Sequence, residues 1–101
     1  MKMYVIVRKD IPETWYTPQA CHAVAQFALD HPEHHGDWQN QNIVVLGAKT
    51  KDHFDDYVST LRILGINFSC FCESYQDVGT TSLAFVSNKQ IPAFKKLKLL
   101  R

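Results

Sequence analysis

The chain has 101 residues, 46% of them hydrophobic and 21% charged, proportions of a globular domain rather than a disordered segment. Residues 1–101 therefore read as a single domain. A formal net charge of +1, with histidine neutral, excludes the basic excess by which proteins hold long nucleic acids through many phosphates. A core of this size leaves a modest stability margin, which assembly into a homo-oligomer, a dimer or a tetramer, would reinforce.

Residues 3–7 and 43–46 are uninterrupted apolar runs rich in β-branched side chains, the pattern of strands buried on both faces. Each leads into a helix. Thr17 followed by Pro18 predicts an N-cap with proline at the first helical position, opening a helix to about residue 29 with Ala20, Val24, Phe27 and Ala28 on its core face. Residues 30–41 hold Pro32, Gly36, acids, amides and histidines and read as a solvated connection anchored by Trp38. Thr50 caps a second helix, in which Phe54, Tyr57, Val58, Leu61 and Leu64 recur at helical spacing until Gly65 ends it.

Beyond that helix, Ile66, Phe68, Cys70 and Cys72 alternate with Asn67, Ser69, Phe71 and Glu73, the period of a strand. A turn over residues 74–79 and a fourth strand over 81–86 follow. In the tail, Pro92 predicts a short helical turn, and Lys95, Lys96 and Lys98 a solvated basic face. The order β-α-β-α-β-β implies an α/β fold, a three-layer α/β/α arrangement on a four-stranded mixed sheet with three parallel strands and the fourth antiparallel. Ligands of such sheets lie beyond the carboxyl ends of the parallel strands, here the loops after Val7, Leu46 and Cys72.

Candidate site residues gather at those loops. The connection 8–17 carries Arg8 and Lys9, suited to phosphate, and Trp15 and Tyr16, suited to stacking on a base, although packing over the sheet edge would also explain the aromatics. The N–H groups of Gln19 and Ala20 are expected to face an anion. Gln19, His22 and Gln26 form a polar stripe on the first helix, either a ligand contact or a solvated face. Glu73, Asp77, Thr80 and Thr81 follow the third strand and can accept from, or bond to, ribose and base edges, while turn chemistry accounts for the same residue types.

His31, His34, His35, Glu33 and Asp37 do not have zinc-site spacing, so neither metal nor cofactor is expected, and the cysteines Cys70 and Cys72 read as core thiols. Three cysteines, an odd number, and an N-terminal apolar run too short for a signal peptide point to the cytoplasm. No stretch approaches the roughly 20 apolar residues of a membrane span, so no membrane partner is expected.

The opening KMYVIVRKDI followed by PQACHA, with Arg8, Asp10, Gln19, His22 and Ala23, resembles the peptidyl-tRNA hydrolase II family. The likeness runs on through IVVLGA, the helix ending LGI, the acid at Glu73 and the closing LKLL. The resemblance implies the fold above and a site built on those residues. It also implies a catalytic lysine four residues before the glutamine, where this chain has Trp15, and an Asp-Ala-Gly-x-Thr stretch that here is altered to ESYQDVGTT. Losing that cation implies that no catalytic residue remains and that ester hydrolysis is lost. RKDI, QACHA and the Asp-Val-Gly turn further resemble a small bacterial and bacteriophage subgroup, some of whose relatives sequester cyclic di- or trinucleotide immune signals as anti-CBASS sponges. The resemblance thus implies a non-catalytic nucleotide-binding protein of the host bacterial cytoplasm. Its alternative is a working hydrolase of peptidyl-tRNA, with tRNA as partner and Lys9 as the displaced cation.

Overall fold

The apolar run at the start of the chain becomes the centre of the sheet, because its side chains are β-branched or large and none carries a charge that needs water. In the computed structural model, which describes residues 1–39, 41–89, 91–95 and 97–100, this is β1 (Lys2–Arg8). It pairs in parallel with β2 (Ile43–Ala48), Val5 opposite Val45. On its other side it pairs antiparallel with β4 (Gly79–Ser87), Val5 opposite Ala84. β3 (Ser69–Glu73) lies antiparallel outside β4, and β5 (Lys98–Leu99) antiparallel outside β2, giving the order β3-β4-β1-β2-β5.

The sheet thus has five strands among the described residues rather than the expected four. β1, β2 and β3 share one direction and β4 opposes them from a place between β3 and β1. β5 has only two residues, too few for alternation to be read in the sequence. It is fastened by the Leu100 N–H donating to the Val45 carbonyl at 2.9 Å.

Two helices cover opposite faces. α1 (Tyr16–Asp30) packs on β1, β3 and β4, and α3 (Lys51–Ile63) on β1 and β2. The alternation along β4 shows the two sides. Ser82 bonds to α1 through the Gln19 carbonyl, whereas Phe85 stacks with Tyr4 and meets Phe94, itself edge-on to Tyr57 of α3. Met3, Val5, Val7, Phe27, Phe54, Leu61 and Phe85 are fully buried, so the core is continuous through the sheet.

The helix boundaries follow local chemistry in one case and depart from it in another. Thr50 caps α3 as expected, its hydroxyl accepting from the His53 N–H at 3.2 Å, and Gly65, at φ +70°, ends that helix in the left-handed conformation that glycine adopts without a Cβ clash. Leu64, expected in the core stripe, is instead exposed, since it lies at the helix end. α1 begins at Tyr16, two residues before the expected first helical position at Pro18, after a 3-10 turn at Glu13–Trp15. Thr17 makes no cap, and Pro18 sits in the first turn, where a missing N–H costs nothing. Residues 30–41 contain a further short helix, α2 (Pro32–Asp37), where only a loop was expected. Trp38 anchors this region, its indole N–H donating to the Asn42 carbonyl at 2.6 Å. The tail forms the expected turn at Pro92–Phe94, and Lys96 lies outside the described residues. No helix among the described residues is long and apolar enough to cross a membrane.

Leu61 and Ile63 test this packing on one helix. Leu61 is fully buried and Ile63 is 85% exposed. In urea denaturation Leu61→Ala should lose about 2–5 kcal/mol, and Ile63→Ala should stay within roughly 0.5 kcal/mol of the parent.

Candidate functional site

The carboxyl end of β1 is held by one ion pair. Arg8, only 7% exposed, directs Nε and Nη2 onto the two oxygens of Asp10 at 2.9 and 3.2 Å. Its Nη1 donates to the carbonyls of Val78 and Thr80 at 2.9 and 3.0 Å. Asp10 in turn accepts from the Lys51 N–H at the start of α3. Three loops are thereby tied together: the one after β1, the entry to β4 and the entry to α3. The Arg8 hydrogen bonds hold the Asp10 carboxyl below its ordinary value of 3.8.

Beside this clasp lies a second network, centred on Gln19 of α1, which is nearly fully buried. Its amide Nε2 donates to Glu73 Oε2 at 3.0 Å, its Oε1 accepts from the Thr81 hydroxyl, and its backbone carbonyl accepts from Ser82 Oγ at 2.7 Å. Consecutive strand residues ordinarily point to opposite faces, so Thr81 and Ser82 should not both reach α1. They do because the pairing shifts: Phe71 is opposite Ser82 but Cys72 is opposite Thr80, leaving Thr81 as the extra residue of a β-bulge. Bulges re-aim side chains in this way.

Glu73 also accepts from the Tyr75 N–H at 3.2 Å, so each carboxylate oxygen already holds one donor. Gln19 first, and then the Tyr75 N–H, lower the Glu73 carboxyl below its ordinary value of 4.5. The carboxylate is ionised at neutral pH. Tyr75 itself stands on a tight turn in which Gln76 and Asp77 take left-handed φ angles of 52° and 55°, a conformation of modest cost for residues other than glycine.

Around Glu73 opens a cleft of about 290 Å³ lined by Trp15, Pro18, Gln19, His22, Glu73 and Tyr75. Trp15 and Tyr75 meet edge to face at 5.8 Å, and the His22 ring stacks on Phe71 at 4.4 Å and 15°. Among the described residues lining the cleft there is no lysine or arginine. The cleft therefore offers aromatic walls and a fixed carboxylate, a combination that accepts hydrogen bonds from a flat ligand and repels an anionic group.

Of the residues expected to form a site, Trp15, Gln19, His22 and Glu73 come together here, and Thr81 stands behind Gln19. Arg8 does not present its guanidinium to a phosphate; its four internal hydrogen bonds make it a strut, and Thr80 contributes its carbonyl to that strut. Lys9 and Tyr16 turn away from the cleft. The Tyr16 hydroxyl donates to the Lys9 carbonyl at 2.8 Å, and the Lys9 stem crosses Gly47, where a Cβ would lie 2.6 Å from it. Asp77 is exposed on the turn. The N–H groups of Gln19 and Ala20 do not face a ligand either, since the early start of α1 draws them into the helix ladder. Gln26 bonds to Asp30 and lies outside the cleft.

Sequence reasoning missed Tyr75 and Phe71. An exposed tyrosine two residues past a strand-ending acid was the available signal for Tyr75. Among the described residues no group of three or more histidine, cysteine, aspartate or glutamate side chains is placed to hold a metal ion. His31 instead bonds to the Phe68 carbonyl and His34 to the Asn67 amide, fastening α2 to the segment before β3.

A family model described as peptidyl-tRNA hydrolase PTH2 matches residues 1–100. A solved structure, titled as a protein of unknown function, Atu0240, from Agrobacterium tumefaciens strain C58, is similar in fold. Its TM-score is 0.72 at 15% sequence identity, with 97% of this chain and 96% of that chain covered. No curated protein matches the chain.

The Gln19 network makes a prediction with a sign. A carboxyl whose folded value is depressed contributes stability above its ordinary value and loses it as the pH falls through the folded value. Gln19→Leu should move the Glu73 titration, followed by NMR, up toward 4.5, and so remove part of that contribution. It should also cost about 1–3 kcal/mol by leaving the buried Thr81 hydroxyl without its acceptor. An unchanged Glu73 titration would contradict the network.

Proposed function

The chain belongs to the peptidyl-tRNA hydrolase PTH2 family, and from that membership we propose a binding function without hydrolysis: a nucleotide-binding protein that sequesters cyclic di- or trinucleotides as a sponge. The observation that carries this reading is Trp15. It stands four residues before Gln19, where the resembled family has its catalytic lysine, and it turns its indole into the cleft beside Glu73 and Tyr75. An indole stacks on a base but has no charge with which to stabilise an oxyanion developing during ester cleavage.

The dimensions and polarity of the cleft support one base per site. About 290 Å³ lies at the lower limit of small-molecule pockets, enough for a base stacked on the indole of Trp15 but not for a whole cyclic dinucleotide. Glu73 has two oxygens in one plane, each able to accept a further hydrogen bond. Guanine offers two adjacent donors, N1–H and N2–H, to such a pair, whereas adenine sets an acceptor beside its donor. His22 stands ready for a second polar contact. The ionised Glu73 keeps phosphates out of the cleft, so they would lie at its mouth. A ligand with two bases then has its second base free for another copy of the chain, consistent with a homo-oligomeric sponge.

Family membership favours a second reading, hydrolysis of peptidyl-tRNA. It requires a cation at the reacting ester. Lys9, the candidate, has its stem packed over Gly47, does not line the cleft, and would have to leave that place.

Isothermal titration against a panel of cyclic di- and trinucleotides tests the proposal. A guanine-containing member should bind with stoichiometry set by the number of clefts and be recovered unmodified after denaturation. Trp15→Ala should weaken it by about 1–3 kcal/mol per stacked base. The absence of binding to every member of the panel would end the reading.

A further inference from the structure

At the opposite end of the sheet from the cleft, where β1 begins, the face covered by α3 carries a cavity that the binding site above does not use. We infer that this cavity is a second site, for a small organic monocarboxylate with an apolar body. Its volume is about 440 Å³, within the range of small-molecule pockets. Half-buried Tyr4 supplies its aromatic floor, backed by the buried Phe85 ring stacked on it at 5.3 Å and 12° and by Phe94, 5.7 Å from Phe85. Such a surface receives an acyl chain or an aromatic ring and releases its water.

The charges around it have one sign. Lys2, Lys89 and Lys95 all line the cavity and are exposed, and no aspartate or glutamate is among the described residues lining it. None of the three forms an ion pair within the described residues, whereas Lys51 pairs with Asp55 at 2.8 Å. In a chain with a net charge of only +1, three unneutralised ammonium groups beside an aromatic wall are complementary to an anion, and they exclude a cationic amphiphile. Lysine, a point charge on a flexible stem, suits a carboxylate whose position is fixed by its apolar body rather than by a rigid fork.

Dodecanoate and 2-naphthoate, an acyl and an aromatic carboxylate, serve as probes, with dodecanol and dodecyltrimethylammonium as neutral and cationic controls, all below their aggregation limits. In ¹⁵N-¹H NMR titrations at least one carboxylate should shift the amides of Tyr4, Phe85 and Ser87 and leave those of Trp15 and Glu73 in place. Which of the two binds more tightly identifies the body the site prefers. The cation should bind at least tenfold more weakly. Charge reversal at two exposed positions, Lys2→Glu with Lys95→Glu, should weaken the carboxylate roughly tenfold with an unchanged pattern of amide shifts elsewhere. Silence of Tyr4 and Phe85 toward both carboxylates, equal binding of the cation, or full affinity in the charge-reversed protein would each overturn the inference.

Discussion

A buried amide must satisfy both its donor and its acceptor without water, and Gln19 carries that obligation into the seam between α1 and the sheet. Its donor holds Glu73 at the end of β3, and its acceptor takes the Thr81 hydroxyl, which only a bulge in β4 brings to this side. An unmade bond there would cost about 1–3 kcal/mol, a sizeable part of the roughly 5–15 kcal/mol that holds a domain of this kind folded. The placement of the acid, the irregularity of β4 and the orientation of α1 therefore follow together from one side chain.

The electrostatics of the site follow from the same economy of partners. Arg8, at the end of β1, is tied internally to Asp10 and to two carbonyls of the β4 entry. Glu73 is fixed and ionised, facing Trp15 and Tyr75. A carboxylate between aromatic walls recognises hydrogen-bond donors on a flat surface; it does not neutralise negative charge gathering on an ester oxygen. The chain keeps the PTH2 framework, and on the proposed reading Trp15 offers a stacking surface where the resembled family has its lysine.

Much of this was legible in the residues because it depends on local pattern. The apolar runs of β1 and β2, the Thr50 cap, the Gly65 stop and the convergence of Trp15, Gln19, His22 and Glu73 all follow from periodicity, capping and chain order. Other features depend on distant partners. Arg8 reads as a free cation until the carbonyls of Val78 and Thr80 arrive from 70 and 72 residues away. The bulge at Thr81 leaves no trace in composition, and β5 is too short for its alternation to register. The start of α1 was misplaced because a Thr-Pro pair looks like a cap, whereas the preceding 3-10 turn at Glu13–Trp15 leads the chain into the helix earlier. That earlier start is what turns Trp15 toward Tyr75 and Tyr16 toward Lys9.

The most direct test is a multiple-turnover assay of the purified chain on an N-blocked aminoacyl-tRNA, scoring free tRNA against time. With an indole in place of the ammonium group, release should not exceed the spontaneous rate at any enzyme concentration. Sustained turnover proportional to enzyme, and undiminished when Trp15 is replaced by alanine, would contradict the account.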